Sequence, residues 1–343
     1  MTVHRAPVRW GILGTGLIGR EHVIPAIKRA DRCELLALAS RTVERAADVC
    51  ADFAIPRAFG SYDELLADPD IDAVYLPLPN HLHAPWIARA ADAGKHVLCE
   101  KPLTLTADEA AAAAAYCRDR DVLLMEAFMY RFHPAWTEAR RLVAAGAIGT
   151  ITDVEVWFAF RGVRSGDYRL NPAFGGGALL DVGCYAVNLS RWFLGDDPRA
   201  VKATARRHPT TGVDMTLSAI LDYDNATATF TCSMEMEPDH RMRLHGTEGW
   251  LSIEDPFNCP VDVETTITVA TGGDDHPRDS EITRLSVAAA DQYALQATAF
   301  ATAVLQGGPV PLPPLDSVAN LRLMERLAAA AVGSLPPAEG AVT

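Results

Sequence analysis

Gly14-Thr15-Gly16-Leu17-Ile18-Gly19, placed directly after the apolar run Val8-Arg9-Trp10-Gly11-Ile12-Leu13, is the stretch on which the fold turns. The run reads as a buried strand, the glycines as its turn, and the residues after them as the start of a helix. Glycine is wanted first for a tight turn, next so that backbone can approach a ligand, and last so that helix and strand pack closely. A helix N-terminus reached this way offers amide N–H groups and a positive dipole end, which suits a pyrophosphate. Pro25 follows Gly19 by six residues, where a helix interior would lose a hydrogen bond and take a clash, so a kink or restart is expected near it.

Outward from this turn, strand-like and helix-like segments alternate up to about residue 125, at the spacing of repeated βαβ units. Residues 35–39, 73–76, 96–99 and 123–126 read as strands, and 44–52 and 85–93 as helices, the second closed by Gly94. Ser61-x-x-Glu64 and Thr106-x-x-Glu109 have the form of capping boxes, the latter opening an alanine-rich helix. Beyond about residue 128 the pattern changes. Residues 151–160, 200–206, 215–223, 226–234, 241–245 and 250–254 look like successive strands with short turns, interrupted by a helix over 178–194. Two further helices, over 292–305 and 317–332, close the chain. The expectation is an α/β protein: a Rossmann dinucleotide-binding domain over 1–127, then an α+β domain over 128–343 with a large, mostly antiparallel open sheet. The last helix is expected to return to the first domain.

The 343 residues suffice for two cores, and 49% hydrophobic with 22% charged content is ordinary for a folded protein. A formal charge of −13 argues against nucleic-acid or anionic-membrane partners, which are bound through lysine and arginine excess. The seven cysteines are scattered and without a C-x-x-C pair, as in reduced cytoplasmic proteins. Residues 1–7 carry no signal-type apolar core, and no stretch is long enough to span a bilayer, so a cytoplasmic location is expected. No metal constellation stands out; His81-x-His83 lacks an acid or cysteine cluster and reads as packing beside the cofactor.

Cys99-Glu100-Lys101-Pro102 places a lysine at the end of an apolar run, about where a dinucleotide's reactive ring would sit. Together with this motif and the glycine turn, Leu78-Pro79-Asn80-His81-Leu82-His83, Met129-Tyr130-Arg131-Phe132-His133-Pro134, Gly175-Gly176-Gly177-Ala178-Leu179-Leu180-Asp181-Val182-Gly183-Cys184-Tyr185 and the helix from Asp291 make the chain resemble the glucose-fructose oxidoreductase/inositol dehydrogenase (Gfo/Idh/MocA) family over nearly its whole length. Tyr185 stands where many members carry histidine, similar to the branch of dihydrodiol dehydrogenase and D-xylose dehydrogenase. The resemblance implies an NAD(P)-dependent oxidoreductase acting on a hydroxyl or carbonyl of a sugar, ketosugar or polyol, with Lys101 beside nicotinamide and substrate and a Lys–Pro bond that is often cis.

On that basis Tyr185 is the expected proton donor in reduction and acceptor in oxidation, with Lys101 polarising the oxygen and Asp181 orienting the substrate hydroxyl or Lys101. Asp181 and Tyr185, four apart, would share a helix face continued by Asn188. Gly14, Gly16, Leu17, Ile18, Gly19, Ser40, Arg41, Leu78, Pro79, Asn80, His83, Glu100, Lys101 and Arg131 are the expected cofactor-binding residues. Trp157, Arg164, Tyr168, Asn171 and Asp181 are candidates for the substrate pocket, and His133 reads as structural. The second strand ends Ala39-Ser40-Arg41-Thr42 without the acid that would hold the ribose of NAD, so NADP is favoured over NAD. Other readings remain open: a cofactor-binding sensor without turnover, and redox-assisted glycoside cleavage. A broad sheet with one helical face leaves another to cover, which predicts a homodimer or homotetramer.

Overall fold

The computed structural model describes residues 6–195, 197–273 and 276–331. Residues 1–5 and residue 332, the expected end of the last helix, lie outside the described residues. Residues up to 132 build β1 (Val8–Leu13), α1 (Ile24–Arg29), β2 (Cys33–Ala39), α2 (Val43–Phe53), β3 (Arg57–Phe59), α3 (Tyr62–Leu66), β4 (Ala73–Leu76), α4 (His83–Asp92), β5 (His96–Cys99), α5 (Ala107–Arg118) and β6 (Leu124–Glu126). The six strands are parallel in the order β3-β2-β1-β4-β5-β6, and the order reverses between β1 and β4. Short, fully apolar strands such as β4, buried at every position, are what a sheet covered on both faces demands.

Pro25 acts as expected. A π-helical turn, Gly19–Val23, precedes α1, and the proline falls in the first turn of α1, where no N–H is required of it. Both capping boxes form: Ser61 accepts from the Glu64 amide and Thr106 from the Glu109 amide, each at 3.2 Å. The glutamates reach back one residue further than the usual pattern, to the amides of Gly60 and Leu105.

The second sheet follows α6 (Pro134–Ala144) and contains β7 (Ile151–Ala159); α7 (Cys184–Leu194) then precedes β8 (Ala200–Arg207), β9 (Asp214–Asp222), β10 (Thr227–Ser233), β11 (Asp239–Gly246), β12 (Gly249–Ile253), β13 (Thr265–Thr271) and β14 (Glu281–Val287). Its order is β14-β13-β12-β11-β7-β10-β9-β8, antiparallel throughout except where β10 runs parallel to β7. Sequence reading did not identify β13, β14 or α6. β13 is mostly threonine and β14 is exposed along most of its length, so neither carries a strong apolar signal. Alternation is plain in β10, where Ala228, Phe230 and Cys232 are buried and the threonines between them half-buried.

The chain ends in α8 (Gln292–Gln306) and α9 (Pro314–Ala330). The described residues fall into two compact units, one from residues up to Phe132 together with Asp291–Val318, the other from His133–Ala290 together with residues from Ala319 on. This differs from a division after residue 127 with only the last helix returning. The returning segment begins at α8, whose Phe300 meets Trp10 of β1 with ring centroids 5.5 Å apart and whose Tyr293 stacks on His22 at 5.1 Å. Residues 128–132 stay with the first unit because their short helical turn packs on α8. Among the described residues no helix is long and apolar enough to cross a membrane, and no cluster of histidine, cysteine or carboxylate groups could hold a metal. None of the seven cysteines is in a disulfide.

Candidate active site

In the first unit the candidate groups leave from one edge of the parallel sheet. At the end of β1, the Gly14 amide donates to Ala39 at 2.9 Å, tying the turn to the end of β2. A Cβ on Gly16 would stand 2.9 Å from the Pro77 carbonyl oxygen, so only glycine lets this turn lie against the loop after β4. The helix after this turn starts at Leu17, which is 68% exposed, and is preceded by Gly16, which has no side chain with which to cap it. An uncapped helical start at a strand-order reversal has the donors an anion needs.

Ser40 is buried and Arg41 exposed between β2 and α2. Arg45, which sequence reading passed over, lies one turn into α2 and donates to Thr15 Oγ1 of the glycine turn at 3.4 Å. Burial raises the Tyr62 phenol's pKa, and Arg41 and Arg45 pull it back, so the two guanidiniums form one positive region beside the turn. A dinucleotide with an extra phosphate fits this edge: glycine backbone for its pyrophosphate, and a basic pair at the neighbouring strand end.

Leu78, Pro79 and Asn80 follow β4, and Glu100, Lys101 and Pro102 follow β5. The Lys101–Pro102 bond is cis. The Tyr75 hydroxyl donates to Glu100 Oε1 at 2.5 Å, and burial, then the Glu100 charge, push the Tyr75 phenol well above its usual range. Glu100 is thus held against a buried phenol, and the Lys101 amide donates to its other oxygen at 3.3 Å. His83 is fully buried, with both ring nitrogens against backbone carbonyls, Pro102 at 2.9 Å and Leu78 at 2.8 Å. It packs inside the protein behind these loops. Arg131 pairs at 3.9 Å with Asp316, while His133 caps α6 by accepting the Ala135 amide at 3.2 Å.

In the second unit, Asp181 and Tyr185 lie on a helix that opens with a π-helical turn, Leu179–Gly183, before α7. The wider turn changes the four-residue spacing from that of a regular helix. Tyr185 is 4% exposed, its ring 5.1 Å from Phe158 and 5.3 Å from Phe257. Asp181 is held in an ion pair: its Oδ2 accepts from Arg169 Nε at 2.7 Å. Burial would lower the Arg169 pKa, yet Asp181, Tyr168 and Asp167 together raise it, so this is a charge-assisted pair in a partly buried place. Arg169 was missed, although it lies between two residues that were noted, Tyr168 and Asn171. Its guanidinium sits 4.7 Å from the Tyr168 ring centre.

Asn171 accepts the Ala173 amide at 3.0 Å, and Arg164 is exposed on the same loop. Trp157 is separated from this group. It alternates with Phe158 along β7, so it points to the sheet face opposite the one where Phe158 meets Tyr185, and there it lies 5.0 Å under Arg241. Asp214 of β9 was also missed. Its Oδ2 accepts the Leu179 amide at 2.7 Å, capping from another strand the helix that carries Asp181 and Tyr185. Burial pushes the Asp214 carboxyl up to about 6. A Cβ on Gly177, which has φ 118°, would run into the Asp214 carboxylate, so the glycine run leaves room for this cap.

Residues 8–128 match the family described as "Oxidoreductase family, NAD-binding Rossmann fold", and residues 136–252 match "GFO/IDH/MocA C-terminal domain". The chain belongs to the Gfo/Idh/MocA family. Within that family it is 42% identical over 321 residues to D-xylose 1-dehydrogenase (NADP(+)) 2 of Haloferax volcanii, covering 93% of this chain and 95% of the relative. It is 34% identical over 260 residues to trans-1,2-dihydrobenzene-1,2-diol dehydrogenase of Sus scrofa, covering 75% and 77%. The crystal structure of a 3-ketoreductase from Actinomadura kijaniata, KijD10, with NADP and TDP-benzene superposes with a TM-score of 0.87 at 34% identity, covering 94% of this chain and 98% of that one. This Gfo/Idh/MocA protein is therefore an oxidoreductase whose N-terminal unit is an NAD(P)-binding Rossmann domain.

Proposed function

We propose that this oxidoreductase prefers NADP and moves a hydride to or from the carbon of a hydroxyl or carbonyl group in a sugar, ketosugar or polyol. The observation that carries the reading is the placement of four loops on one sheet edge. Arg41 follows β2, the glycine turn follows β1, Pro77 to Asn80 follow β4 and Lys101 follows β5, and these are successive neighbours. Three strand spacings span roughly 14 Å, the reach needed for a dinucleotide with its extra phosphate at Arg41 and Arg45 and its reactive ring at Lys101. Names of relatives support the same chemistry: an NADP(+)-linked xylose dehydrogenase and a ketoreductase crystallised with NADP.

When bound, NADP supplies or accepts the hydride; the protein must then move one proton at the reacting oxygen. Lys101 donates to that oxygen and favours the negative charge that gathers on it. Tyr185 gives the proton in reduction and takes it in oxidation. Asp181 serves through its pair with Arg169, whose Nη1 also reaches Asp167 at 3.5 Å; the two carboxylates fix the side chain, and the N–H groups they do not use serve substrate hydroxyls.

Fluorescence titration with NADPH and NADH, followed by turnover of a panel of aldoses and ketosugars, tests the reading. NADPH is expected to bind more tightly, and Lys101→Met and Tyr185→Phe are each expected to lose about a hundredfold or more in kcat while NADPH still binds. Full turnover by Lys101→Met, or tight cofactor binding with no reaction across the panel, would overturn it.

A further inference from the structure

His83 is an unusual occupant of a protein interior. It is fully buried, yet each ring nitrogen faces a backbone carbonyl, Nδ1 toward Pro102 at 2.9 Å and Nε2 toward Leu78 at 2.8 Å. Those carbonyls belong to different loops. Leu78 lies in the loop after β4, Pro102 directly follows Lys101 in the loop after β5, and β4 and β5 are hydrogen-bonded neighbours. The segment after Lys101 is gripped from its other side too: the Leu103 amide donates to Glu126 Oε1 at 2.8 Å, and Glu126 is 3% exposed.

We propose that His83 is a positioning residue whose ring ties the cofactor loop at Leu78 to the Lys101 loop at Pro102, so that cofactor seating and the placement of the Lys101 amine are coupled. The inference rests on the reading of Lys101 given above. Burial favours the neutral ring, opposed by the facing carbonyls, and the nearby Lys101 charge acts in the same direction as burial. A neutral imidazole has one N–H for two carbonyl oxygens. The two loops therefore share a single donor, and a change at one alters what the other receives. A histidine that merely filled space would have no reason to meet one carbonyl from each of two functional loops.

Two substitutions separate the halves of the clasp. Asparagine places an amide nitrogen near the position of Nδ1, toward Pro102, and glutamine places one near Nε2, toward Leu78. With the full-length enzyme, His83→Gln is expected to lower kcat about tenfold relative to His83→Asn, because the Lys101 loop loses its anchor. His83→Asn is expected to raise the NADPH Kd several-fold relative to His83→Gln. A purely structural role would move both variants the same way, in kcat and in Kd alike, and that outcome would sink the clasp. Loss of turnover in Lys101→Met keeps the functional reading intact in that case; retained turnover there would refute the reading itself. Should a variant fail to fold by circular dichroism, wild-type protein labelled with 15N-histidine provides the test. The buried ring's nitrogen resonances, assigned by their loss in whichever variant folds or by their slow exchange, should shift on adding NADPH, and unmoved resonances overturn the proposal.

Discussion

In the six-stranded parallel sheet most candidate groups leave from one edge, in the loops after β1, β2, β4, β5 and β6, whereas in the eight-stranded sheet most of the groups sit on a helix lying on one face and on a loop beside it. The reason lies in strand direction. Parallel strands connected by crossovers all end at the same edge, so their C-terminal loops gather there without further instruction. Antiparallel strands end at both edges and bury only alternate side chains. What reaches the helix face is decided by pairing register, as Trp157 and Phe158 illustrate by taking opposite faces from adjacent positions. One unit therefore builds its site from local turns, the other from contacts distant in sequence.

The sharpest way to break this contrast is at the glycine turn. Gly16→Val is expected to abolish detectable NADPH binding by fluorescence titration, because even a Cβ would crowd the Pro77 carbonyl and force the turn out of place. Normal affinity in that variant would mean that the turn is not where the cofactor seats.

In the other unit the corresponding support is Asp214, which holds the helix start from a neighbouring strand. Its folded pKa is raised to about 6 from 3.8, so the native protein binds this proton more tightly than the unfolded chain does. The carboxyl's contribution to stability is then greatest below about 4 and falls as pH rises toward 6, by about 3 kcal/mol in all. Asp214→Asn keeps an acceptor for the Leu179 amide but no charge. Urea unfolding between pH 4 and pH 7 should show a stability decline in the wild type that the variant lacks by about that amount, and parallel curves would remove Asp214 from the account.

The open face of the second sheet should matter least. Arg243 lies 4.2 Å from the Trp250 ring centre, an exposed cation–π contact. Arg243→Ala is expected to lower stability by about 0.5 kcal/mol in thermal melts and to leave kcat unchanged.

Legibility in the sequence followed the same division. The β1 turn, both capping boxes and the restart at Pro25 were readable because each is settled by residues a few positions apart. So was the Lys101–Pro102 motif at a strand end. Arg45 was not, although it lies four residues beyond Arg41, because its relevance depends on α2 bringing it to Thr15. In the second unit the alternating strands β8 to β12 were visible, while β13 and β14 were hidden by threonine and by exposure. Arg169 and Asp214 gave no sequence signal of their own.

By itself the sequence determined the class of fold, the family and the form of the glycine turn after β1, since helix caps, glycine turns and alternating apolar positions act through neighbours along the chain. Only the tertiary structure decided that Asp181 is paired to Arg169, that Asp214 caps the helix of Tyr185, that Trp157 lies on the other sheet face and that His83 bridges two loops. Those outcomes depend on strand register and on which loops become neighbours, and each joins residues that local chemistry alone does not bring together.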